Sequence, residues 1–85
     1  MDSDERISIT LKCIEESARS MSFYQVLANK DLKLYYESYR MHNENLEMFI
    51  NEALDLEIDP RIIERTQKQG SKEGEHSAIE SLFVL

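Results

Sequence analysis

Between residues 31 and 56 the chain reads as one long helix that carries two apolar stripes. At about 100° per residue, Leu32, Tyr35, Tyr36, Tyr39, Leu46, Phe49, Ile50, Ala53, Leu54 and Leu56 share one wide face. A second, narrower ridge runs Leu34, Met41, Met48, each one heptad after the last. A helix resting on a single core needs one stripe. Two stripes predict two neighbours, one of which can be another chain.

The first twenty residues support two patterns. Ile7, Ile9, Leu11 and Cys13 alternate as a half-buried strand does, and a strand there followed by a helix would open a ribbon-helix-helix DNA-binding dimer. Ile7, Leu11, Ile14, Ala18 and Met21 follow helical spacing instead, and this longer pattern takes in Ala18 and Met21. Ser3 is positioned to cap that helix, with Asp4 and Glu5 at its positive end and Glu15 paired to Arg19 one turn on. Helix is therefore the preferred reading. Ser22 and Gln25 fit a capping box, which predicts a turn near residues 20–23. If the helix continues instead, Phe23 and Leu27 extend the Leu34–Met41–Met48 ridge in register, and the first helix would pack back on that ridge. Asn29, Lys30 and Asp31 form the next break, with Asp31 capping the long helix.

Asp59-Pro60 predicts a new helix, with an acidic cap before proline at the first helical position. Ile62 and Ile63 give this short helix its apolar contacts, and Gly70 ends it. Residues 67–76, QKQGSKEGEH, read as a flexible linker. In the last nine residues Ser77 and Glu80 fit a capping box, and Ile79, Leu82 and Phe83 line one face. The expected architecture is all-α: a small helical hairpin or bundle over residues 1–66 with a long central helix and a short C-terminal helix, then the linker, then a short apolar segment at 77–85.

Eighty-five residues make a marginal single core, for which oligomerisation is a common remedy. Two glycines and one proline disfavour the many turns of an all-β fold. Seventeen acids against ten bases give a net charge of −7, and between Arg40 and Arg61 lie Glu44, Glu47, Glu52, Asp55, Glu57 and Asp59 without a base. Direct nucleic-acid binding needs a basic patch and is not expected. Cys13 is alone, which fits a reducing compartment, and no signal-like opening or membrane-length apolar run is present. A cytoplasmic protein without membrane contact is the expectation.

Candidate chemistry is sparse. His42, between Tyr39 and Leu46, has no second histidine or cysteine at ligand spacing and reads as a packed histidine; His76 reads as solvated. Cys13 has Lys12, Glu15 and Glu16 as neighbours, which give no net positive field to activate a thiolate. No catalytic, cofactor or metal site is expected, and the chain does not read as an enzyme. Glu44, Glu47 and Asp55 share one exposed face, either merely solvated or a docking face for a basic partner. Tyr35, Tyr36 and Tyr39 suit either a core or an interface. The end, Leu82-Phe83-Val84-Leu85, is apolar and fits docking on its own body or in a partner's groove.

Glu52-Ala53, Asp55, Ile58-Asp59-Pro60 and Ile63 resemble the helical hairpin of the Sin anti-repressor family, small bacterial proteins that bind a DNA-binding repressor. The likeness covers residues 46–65. Leu46 stands where the family has tryptophan, and Arg61-Ile62 where it has acids. Met21-Ser22 and Gln25 bear a fainter similarity to phycobilisome-degradation adaptors. Both imply a helical protein acting by protein contact. The expected function is therefore a small acidic regulator, bacterial or phage, that binds and inhibits or redirects another protein, as a homo-oligomer such as a dimer. Leu34, Tyr35, Tyr39, Met41, Leu46, Met48, Phe49, Ile50, Ile62 and Ile63 form the candidate partner or self-association surface, with Glu44, Glu47 and Asp55 as the acidic docking face. A subunit or adaptor of a larger assembly and a small-ligand-binding bundle are the alternatives.

Overall fold

The computed structural model describes residues 2–84 and consists there of three helices: α1 (Ser3–Lys30), α2 (Leu32–Asp55) and α3 (Pro60–Val84). Leu85, part of the apolar end, lies outside the described residues. At 1.5 Å per residue, α1 is about 42 Å long, which accounts for the longest dimension of the molecule, 44 × 21 × 21 Å.

The cap of α1 is Asp2, one residue before the expected Ser3; its carboxylate accepts the Asp4 N–H at 3.2 Å. The helical pattern prevails over the alternating one. Ile14 and Ala18 are fully buried, and Ile7, Leu11 and Met21 pack against them, whereas Ile9, which only the strand pattern needs, stays 49% exposed. No turn forms at residues 20–23. Ser22 is buried inside an unbroken helix. The break falls on the single residue Asp31. Its N–H donates to the Leu27 carbonyl (2.9 Å) to close α1, and its carboxylate accepts the Leu34 N–H (3.2 Å) to open α2.

α2 returns antiparallel to α1, as the Arg6–Glu52 ion pair (3.9 Å) near one end and the stack of Tyr24 on His42 toward the other require. Its C-terminus is a Schellman motif. The Ile58 N–H donates to the Ala53 carbonyl (3.1 Å) and the Glu57 N–H to the Leu54 carbonyl (3.0 Å), while Ile58 and Ala53 join the same buried cluster. The motif places Glu57 at φ 60°, a left-handed conformation that costs a side-chain-bearing residue about 1 kcal/mol or more. Glu57→Gly is therefore expected to raise stability by up to about 1 kcal/mol, read as a higher urea midpoint with an unchanged slope.

Asp59 caps α3 as expected. Its carboxylate accepts the Arg61 N–H (2.9 Å) and meets the Arg61 guanidinium at 3.0 Å, and these bonds hold its pKa below the ordinary carboxylate range. The short-helix and linker expectations are corrected: α3 runs 25 residues, and residues 67–76 form its middle. The physical reason lies in Gly70 and Gly74. Both are buried against the backbone of α1; a Cβ on Gly70 would lie 2.2 Å from the Glu15 carbonyl oxygen, and one on Gly74 2.0 Å from that of Arg19. Glycine weakens an exposed helix, but here its missing side chain admits the neighbouring helix. Ser77 accordingly lies within α3 rather than capping it; its carbonyl accepts the Ser81 hydroxyl (2.9 Å).

The order of those contacts makes α3 parallel to α1. Arg19 ties the two together, meeting Glu73 at 2.9 Å and Glu15 at 3.5 Å. α1 thus packs extensively against both other helices, while α2 and α3 barely touch each other. The apolar core sits along α1: Ile14 and Ala18, Leu46 and Ala53 of α2, Ile58 of the connection and Ile63 of α3. Thr10, Ser17 and Ser22 are also buried on α1.

Candidate interaction surface

Since α1 covers one side of α2 and α3 covers little of the rest, most of α2 faces outward. Of its 24 residues only Leu46 and Ala53 are fully buried. The ridge expected from the heptad spacing is on the surface: Leu34 is 65% exposed, Met41 51% and Met48 54%. The first helix does not pack back on it, although α1 is unbroken. α1 is met by the Leu46–Phe49–Ile50–Ala53 side instead.

The wide stripe divides. Leu46 is core, Phe49, Ile50 and Leu56 lean on the core, and Tyr35 and Tyr39 are half-buried. Leu32, Tyr36 and Leu54, at the far edge of the same stripe, remain exposed. α2 therefore presents two uncovered apolar strips, one on either side of its contact with α1. On α3, Ile62 is exposed, but Ile63 is buried. Leu46 and Ile63 are consequently corrected from candidate interface residues to core: each fills the space between helices of its own chain.

Glu44, Glu47 and Asp55 are all exposed, and none joins an ion pair among the described residues. Glu37, unnoticed in the sequence, lies in the same region and pairs with Arg40 at 3.1 Å. The spacing that finds it is simple: Glu37 is three residues after Leu34 and four before Met41, as Glu44 is between Met41 and Met48.

The remaining candidates have structural neighbours. His42 is half-buried with its ring parallel to that of Tyr24, centroids 5.4 Å apart, and Tyr35 lies beside the same tyrosine at 6.3 Å. His76 is exposed on α3 and meets Glu80 at 2.9 Å. Cys13 is half-buried on α1. Among the described residues, no three His, Cys, Asp or Glu side chains gather as a metal ion would need, and no helix is long and apolar enough to cross a membrane. At the far end of the molecule Val26 and Lys30 of α1 and Ile79, Leu82 and Phe83 of α3 line a shallow groove, with Phe83 itself 84% exposed.

Comparison of the chain with protein-family models, with curated proteins and with solved structures finds no match.

Proposed function

We propose that this chain is a small non-enzymatic regulator that acts by binding another protein through the outward side of α2, in the manner of an anti-repressor or inhibitor. The observation that carries the reading is the ridge Leu34, Met41, Met48: three large apolar side chains in a row, each more than half exposed, on a helix already anchored by its opposite side. Methionine surfaces adapt to partners readily, and an uncovered apolar strip on a small domain marks a contact site. The local resemblance of residues 46–65 to the Sin anti-repressor hairpin agrees in class.

Self-association belongs to the same proposal and is assigned to the other strip. Leu32, Tyr36 and Leu54 are exposed, half-buried Tyr39 and Ile50 share that face, and exposed Arg40 and Glu47 lie along its edge. A two-fold contact sets a patch against itself, so this apolar strip meets its own copy.

The test is a pair of affinity captures from source cells, one with the parent chain and one with Met41→Lys/Met48→Lys. Both methionines are solvent-facing, so the variant keeps its helical CD signal and its unfolding free energy to within about 1 kcal/mol. The proposal expects a stoichiometric protein with the parent and its loss with the folded variant. Equal recovery by both would overturn it, as would a turnover assay in which either chain transforms a substrate.

A further inference from the structure

We infer that the Leu34–Met41–Met48 ridge receives an amphipathic helix of another protein that carries lysine or arginine beside its apolar seam. The inference rests on the proposed function and names the chemistry of its partner. On a helix, side chains three and four positions apart are neighbours. Glu37 and Glu44 therefore fill one flank of the ridge, and Ser38, Asn45 and Glu52 the other. From Leu34 to Asp55 the chain has five acids and one base; Glu37 pairs with that base, Arg40, and Glu52 with Arg6, which leaves Glu44, Glu47 and Asp55 without a cationic partner among the described residues. Leu34 to Met48 spans about 21 Å of helix axis, the length a partner helix of roughly four turns covers.

Charge decides among the occupants. A second copy seated two-fold on this ridge would bring the Glu37–Glu44 row of one chain to the seam already lined by the carboxylates of the other, and like charges in a seam are repulsive. An anionic lipid surface meets the same obstacle. A helix with an apolar seam bordered by cations satisfies both the ridge and its acidic Glu37–Glu44 border.

Two synthetic 18-residue helical peptides with the same leucine seam test this, one bordered by lysine and one by glutamate, titrated with the full chain by fluorescence anisotropy. The lysine peptide is expected to bind and the glutamate peptide not to. Met41→Gln/Met48→Gln should weaken binding at least about tenfold. Glu37→Gln/Glu44→Gln should weaken it several-fold and flatten its salt dependence. Glu64→Gln/Glu75→Gln on α3 should leave it unchanged. Equal binding of both peptides would overturn the inference, as would a loss from the α3 pair equal to that from the α2 pair. So would a chain dimer that the methionine substitutions dissociate, which would assign the ridge to a second copy. A cellular partner that depends on Met41 and Met48 while the lysine peptide fails to bind would remove this inference and leave the proposed function standing.

Discussion

A chain carrying Gly74→Ala unfolds about 10 °C or more below its parent. In an isolated helix the same change would stabilise by about 1 kcal/mol. Here the new Cβ would lie 2.0 Å from the Arg19 carbonyl oxygen and 2.8 Å from the Arg19 carbonyl carbon. Backbone atoms inside a helix cannot step aside as a side chain tip does, so α3 as a whole must move off α1. Overpacking of this kind costs about 1–3 kcal/mol, and occasionally more. The movement also stretches the Arg19–Glu73 contact, now 2.9 Å, and uncovers Ala78, now fully buried. The net expectation is a loss of at least about 2 kcal/mol. Gly70→Ala/Gly74→Ala should leave α3 undocked while α1 and α2 remain paired. Amide exchange would show this as protection lost from residues 64–84 and kept near Ile14 and Leu46. A melting temperature equal to or above the parent's would mean that α3 does not rest on α1 through its glycines.

Ile14→Ala is the other large effect. Ile14 is the largest side chain with no exposed surface, and it lies on the helix that both others pack against. Truncating a buried isoleucine costs about 2–5 kcal/mol, and a site enclosed from both sides has little room to collapse, which favours the upper part of that range. An 85-residue domain has about 4–13 kcal/mol in all, so the variant is expected to be partly unfolded at moderate urea. Calorimetry would read the loss directly. A cost under about 1 kcal/mol would mean that α1 is not the shared core.

The helices that bury large apolar side chains at helical spacing were legible in the sequence. The 4-3-4-3 series from Ile7 to Met21 lies on the packed side of α1, and Asp31 and Asp59 cap the helices they were expected to cap. What hid α3 is that its middle docks by absence. Between Ile63 and Ala78 it offers α1 no large apolar side chain, only Gly70 and Gly74 one turn apart, and hydrophobic periodicity does not register a glycine. The small-residue series Gly70, Gly74, Ala78, read as a close-packing stripe, is the signal that was available. Ser22 misled for a related reason: a small polar residue suits a cap and equally suits a tight helix contact. The α2 ridge was visible as a pattern, but pattern alone could not say whether α1 or the solvent covers it. Only the packing of α1 against the Leu46 and Ala53 side leaves Met41 and Met48 outside.

The most direct measurement places a photo-crosslinking residue at the Asn45 position, beside Met41 and Met48, and in a second chain at Lys72, exposed on α3. Both chains are irradiated in source cells, and the adducts are identified by mass. One defined adduct with another protein is expected from position 45 and none of comparable yield from position 72. Adducts of equal yield and identity from both positions, or none from position 45, would contradict the claim that α2 is the working surface of this protein.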